Sequence, residues 1–245
     1  MTSARRFFGF IGFLAALTLG PSGLAQAQDV LRVATDATFP PFEYTEGGKR
    51  VGFDVELIEA IAKVLNKKVE WTDIDFKGLI PGLLAKRFDV AASAIYITDD
   101  RKKVVDFTDS YYPGGLVIMT AKGDKRIQGP DDLKGKKVAV QVGTKSVNFL
   151  KDNFPSAERI EVEKNQEMFQ LVEVGRADAV VTGKPAAKLY ARTRGTLQVV
   201  DTPLTVEEYG YAMRKDEPEL ITQFNDALKK LKADGTYQQL VNKYL

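Results

Sequence analysis

From residue 29 onward, short β-type runs alternate with helical patterns, and that alternation restricts the chain to an α/β architecture with mostly parallel strand pairing. Residues 31–35 read as the first strand. Residues 53–65 carry apolar side chains at Leu57, Ile58, Ile61, Ala62, Val64 and Leu65, the stripe of a helix that opens beside Asp54. A short strand follows at 69–71, a helix at 79–84, and a longer strand is expected over 89–97. Thr98-Asp99-Asp100 then supplies an N-cap and acidic first turn for the helix that carries Arg101.

The same pattern returns in a second unit, with strands at 138–142, 160–162 and 179–181 and helices after Gly143, at 169–174 and at 185–191. Residues 86–91 and 175–180 occupy equivalent places, a basic-apolar-Asp turn running into a buried strand, which is a weak internal repeat. Tyr111-Tyr112-Pro113-Gly114-Gly115 turns into an extended crossover, 205–213 offers a second one, and two helices split by Asp234-Gly235 end the chain. No low-complexity linker separates the units.

Residues 1–27 stand apart. Arg5 and Arg6, an apolar run of about 13 residues and Ala25-Gln26-Ala27 read as a secretory signal peptide cleaved after Ala27. The run is short of the roughly 20 residues a spanning helix needs. With no Cys after it, a lipid anchor is excluded, and the mature product is expected to be soluble in the periplasm. The chain contains no Cys and no His, which removes disulfides, thiolate or imidazole metal sites and Ser-His-Asp or Cys-His nucleophiles. No cofactor, metal or catalytic residue is expected. Once Arg5 and Arg6 are removed from the 35 basic residues, cations equal the 33 acids, so charge gives no reason to expect a nucleic-acid partner.

Three places can carry binding chemistry. The loop 35–44 puts Asp36, Phe39, Phe42 and Glu43 beyond the carboxyl end of a strand, where α/β ligands sit, and either Phe39 or Phe42 belongs to the core beneath its prolines. Arg101, beside a helix start, can hold a carboxylate, its bland alternative being a surface pair with Asp99 or Asp106. Gly143-Thr144-Lys145-Ser146 is a second anion-type turn, too short for a phosphate loop.

With residues 33–43 (VATDATFPPFE), 51–57 (VGFDVEL), 97–101 (ITDDR), 105–108 (VDFT) and 132–144 (DLKGKKVAVQVGT), the chain from 29 to 245 resembles the periplasmic solute-binding proteins of ABC transporters. It is most similar to the class that binds polar amino acids, the glutamine-binding branch nearest. The resemblance implies a two-lobe α/β fold with a hinged cleft: lobe 1 from 28–110 and 210–245, lobe 2 from 116–204, hinges at 111–115 and 205–209. It implies a monomer that captures a small polar carboxylate, glutamine- or arginine-like, by closure and delivers it to an inner-membrane permease. By the same resemblance Asp36 meets the ligand's side-chain end, Phe39 and Phe76 sandwich it, and Ser93 and Ala94 line its α-carbon groups. Arg101 holds the carboxylate, while Gln141, Thr144 and Lys145 contribute from the second lobe.

Two positions depart from the family pattern. Tyr96 stands where a small hydroxyl residue is usual and is expected to add a third aromatic wall. Gly183 stands where an acid pairs with the α-ammonium, so the site is expected to have room there, to tolerate α-amino-modified ligands, and to gain affinity for free amino acids from Gly183→Asp. Cyclohexadienyl dehydratases, enzymes on the same scaffold, are the alternative. Their general acid would fall near Leu171, which cannot serve. A third reading, the sensing domain of a receptor, would need a membrane segment beyond Leu245.

Overall fold

The computed structural model describes residues 29–245, so the segment read as a signal peptide lies outside the described residues. Among these, no helix is long and apolar enough to cross a membrane. The chain opens with β1 (Val30–Thr35), whose inner face is fully buried, then a three-stranded meander of β2 (Thr38–Phe39), β3 (Glu43–Glu46) and β4 (Lys49–Val51). Helix α1 (Phe53–Val64) follows, and it buries Phe53, Leu57, Ile58, Ile61 and Ala62, the stripe its spacing predicts. Next come β5 (Lys68–Asp73), α2 (Leu79–Leu84), β6 (Val90–Ala91), α3 (Asp99–Lys102) and β7 (Asp106–Phe107).

The chain then crosses through β8 (Tyr112–Pro113) into β9 (Leu116–Ala121), β10 (Lys137–Gln141), α4 (Lys145–Asn153), β11 (Glu158–Val162), α5 (Asn165–Glu173), β12 (Ala179–Gly183), α6 (Lys184–Arg194) and β13 (Leu197–Val199). It returns through β14 (Glu208–Tyr209), which pairs with β8, to β15 (Ala212–Met213), α7 (Pro218–Ala233) and α8 (Thr236–Tyr244). Helix α7 buries Phe224, Ala227, Leu228 and Leu231, and these join the α1 stripe in one cluster. Each of the Phe, Leu and Ile side chains among them contributes roughly 1.5–3 kcal/mol of burial.

The two lobes are built alike. One sheet runs β5-β1-β6-β15-β7 and the other β11-β10-β12-β9-β13. The repeat seen in the sequence marks their equivalent central strands: the Asp89 carboxylate accepts from the Arg32 backbone N–H (3.1 Å) and Asp178 from that of Lys137 (3.0 Å). Parallel pairing covers only three strands of each sheet, a correction to the mostly parallel expectation. The strands β15 and β9 run antiparallel because each arrives directly from the other lobe, without a crossover helix. The strand expected over 89–97 is likewise shorter. It stops after Ala91, the backbone enters the left-handed region at Ala94 (φ 42°), and Tyr96 makes only an isolated bridge to Tyr209.

Candidate functional site

The carboxyl ends of the parallel strands of both sheets face one cleft, so the residues just beyond β1, β6, β10 and β12 converge there. The cavity between them encloses about 460 Å³, part of it open to solvent. All eleven residues singled out in the sequence line it: Asp36, Phe39, Phe76, Ser93, Ala94, Tyr96, Arg101, Gln141, Thr144, Lys145 and Gly183.

At one end stands Arg101. Thr98 caps α3 by accepting from the Arg101 backbone N–H (3.3 Å), and this aims the side chain back over the Phe76 ring, the guanidinium carbon 5.5 Å from its centroid. The guanidinium donates to the carbonyls of Tyr96 (2.8 Å) and, across the cleft, Gly143 (3.3 Å). Among the described residues no acid forms an ion pair with it, so the surface pairing with Asp99 or Asp106 does not occur. Burial without a counter-charge lowers its pKa to about 10, which leaves it charged at neutral pH. Gly143 (φ 77°) permits this approach, since a Cβ there would lie 2.9 Å from the Lys77 backbone in the facing lobe.

At the other end Asp36 is buried, and burial raises its pKa against the opposing pull of Lys164. Gln141 reaches it across the cleft (2.7 Å), Thr38 donates to it (3.0 Å) and so does the Phe76 N–H (3.2 Å). Phe39 lines the wall while Phe42, stacked behind it at 5.9 Å, is the fully buried core member. Thr144 donates to the Gln141 carbonyl (2.7 Å), and the Lys145 ammonium points to Glu207 (3.4 Å).

The middle of the cavity corrects the reading of Gly183. A Cβ at Gly183 would sit 2.6 Å from the Tyr209 hydroxyl, 3.1 Å from that of Tyr96 and 3.3 Å from Phe39. The space is therefore filled by tyrosines from the first lobe and the crossing strand rather than left open. Tyr96 and Tyr209 stack at 4.5 Å, and the Tyr209 hydroxyl donates to that of Tyr96 (2.9 Å), which donates to the Gly115 carbonyl (3.0 Å). Tyr96 is thus an aromatic wall and also a tie to the crossing segment. Leu171 is corrected too: it packs on the outer core of the second lobe, and α5 presents Asn165 and Met168 to the cavity instead.

Sequence reasoning gave Glu43 a place in the binding loop but no specific contact, put Tyr209 only at the end of a hinge, and assigned nothing to Lys164 or Asn165. Glu43 lay inside a quoted motif and could have been found. Its Oε1 accepts from Ser93 (3.0 Å), and burial beside Asp54 pushes its pKa well above the carboxylate range. Burial likewise raises Asp54 to about 6, although it accepts from the Ala94 N–H and the Tyr111 hydroxyl (both 2.8 Å). Among the described residues Glu43 Oε2 and Asp54 Oδ1 have no hydrogen-bond partner, and burial with mutual repulsion favours keeping a shared proton on this pair, of which Glu43 lines the cavity. Among the described residues no cluster of acids is arranged to hold a metal ion.

The profile of the bacterial extracellular solute-binding proteins, family 3, matches residues 31–245. The chain belongs to that family. It is 36% identical over 236 residues to the arginine-binding extracellular protein ArtP of Bacillus subtilis (strain 168), covering 94% of this chain and 92% of ArtP. Among solved structures it is similar to an ancestral arginine-binding protein bound to glutamine (TM-score 0.84, 41% identity, 88% of this chain and 97% of that one). It is also similar to an ancestral amino acid-binding protein, AncCDT-1, described as a precursor of cyclohexadienyl dehydratase (TM-score 0.83, 43% identity, 88% and 95%).

Proposed function

We propose that this protein is the extracytoplasmic capture component of an ABC importer for a polar amino acid or amino acid derivative. The observation that carries the reading is Arg101, a charged guanidinium that two lobes enclose against an aromatic face and that no acid of the described chain neutralises. A carboxylate placed there gains a charge-assisted, bidentate partner in a low-dielectric site. Phe39 and Phe76 give the ligand's stem apolar walls, and Asp36 with Gln141 ends the cavity. Because Gln141 and Gly143 belong to one lobe and Asp36 and Arg101 to the other, ligand contacts from both sides favour the closed arrangement. The crossings at 111–115 and 205–209 serve as the hinges, the protein acts as a monomer, and it works in the periplasm after removal of residues 1–27.

The names of its relatives support binding rather than turnover. A dehydratase needs a proton donor against the ligand. Asp36 accepts hydrogen bonds at both oxygens, and Glu43 is engaged by Ser93 and Asp54. Thermal-shift screening of amino acids, their derivatives and small carboxylates tests the reading, because a ligand bound only by the folded state raises Tm. Turnover of prephenate or arogenate would refute it.

A further inference from the structure

A cation stands against the distal end of the cavity, reaching Asp36 from behind its lining. Asp36 Oδ1 accepts from Thr38 Oγ1 (3.0 Å) and Lys164 Nζ (3.3 Å), and Oδ2 accepts from Gln141 Nε2 (2.7 Å) and the Phe76 N–H (3.2 Å). A carboxylate offers about four acceptor sites, so none is left for a donor from the ligand. Lys164 also meets Asp75 (2.6 Å), and the neighbouring Glu163 pairs with Lys77 (2.5 Å). Asp36, Asp75 and Lys77 belong to the first lobe, whereas Lys164 is the N-cap residue of α5 in the second. The ammonium therefore reaches Asp36 only when the lobes meet.

A ligand ending in a guanidinium or ammonium needs Asp36 as its counter-charge and must either displace Lys164, leaving it only the more exposed Asp75, or crowd a second cation beside the buried carboxylate. A neutral distal group has no such requirement. It faces amides instead: the second Gln141 N–H donates to the Glu163 carbonyl (2.9 Å), and Asn165 donates to Gln141 Oε1 (2.9 Å).

We propose that Lys164 is a specificity-determining residue that holds Asp36 neutralised in the closed cleft, so that ligands with a neutral polar end are accepted over those with a cationic one. The assignment rests on the reading that an amino acid binds in this cavity. Citrulline and arginine test it, since they share length, shape and α-carbon groups and differ only in the charge of the distal end. Calorimetry on the mature protein is expected to give citrulline at least tenfold tighter binding than arginine. Lys164→Ala is expected to shrink or invert that ratio by at least tenfold through a gain for arginine, while Lys164→Arg keeps it. Wild-type preference for arginine, or an equal loss for both ligands in Lys164→Ala, would overturn the assignment and reduce Lys164 to an inter-lobe tie, leaving the amino acid reading intact. No binding of any amino acid by either protein would overturn that reading, and this assignment with it.

Discussion

Stability should fall as pH rises from 5 to 7, the reverse of what surface ion pairs would give. The chain has no His, so few side chains can titrate in that window. The shared proton of Glu43 and Asp54 is one that can. Asp54 sits at about 6 in the folded protein against an ordinary 3.8, because burial disfavours its charge. The folded state thus binds the proton more tightly than the unfolded chain does. Its contribution is fully present below about pH 4 and lost as pH rises through 6. Integrated between pH 5 and 7, a shift of that size is worth about 1 kcal/mol, and Glu43 acts in the same direction. For a chain of this size that is a fall in Tm of about 2–4 °C. Thermal unfolding of ligand-free protein at pH 5, 6 and 7 measures it. The isosteric Glu43→Gln/Asp54→Asn double variant, which cannot titrate, should lose the slope. A wild-type Tm that is flat or rises across the window, or a double variant with the same slope, would refute the shared-proton account.

Arg101→Ala should weaken the best ligand of a calorimetric screen by about 2–4 kcal/mol while leaving the ligand-free Tm nearly unchanged, since among the described residues its guanidinium hydrogen-bonds only to two carbonyls and the substitution keeps the backbone bonds. Retention of affinity within threefold would remove it from the site. Gly183→Asp should weaken binding rather than strengthen it, because even the first carbon of a side chain meets the Tyr209 hydroxyl; overpacking of this kind costs about 1–3 kcal/mol, read as a rise in Kd. Tyr96→Phe strands the Tyr209 hydroxyl and the Gly115 N–H, and denaturant unfolding should show a loss of about 1–3 kcal/mol.

Much of the architecture was legible because it is local. The α1 stripe, the Thr98 cap and the Asp234-Gly235 break each depend on neighbours within a turn or two. Strand length was less legible. Residues 92–97 have the apolar content of a strand, yet Ala94 is held in the left-handed region by its bond to Asp54, forty positions away in the sequence. That constraint has no signature in the segment itself.

The candidate site divides in the same way. Position beyond a strand end or beside a helix start brought the Asp36 loop and Arg101 to notice, while Gln141, Phe76, Ser93 and Ala94 came only from the family resemblance; all converge because positions just past parallel strands do so wherever such a sheet forms. What those residues can accept was decided by distance between lobes. Gly183 by itself reads as open space and only the packing of Tyr96 and Tyr209 fills it. Asp36 by itself reads as a free anion and only Lys164, 128 positions later, neutralises it. Local propensity and periodicity fix which elements form, whereas charge and volume in the cleft belong to pairs that meet only when the two sheets face each other.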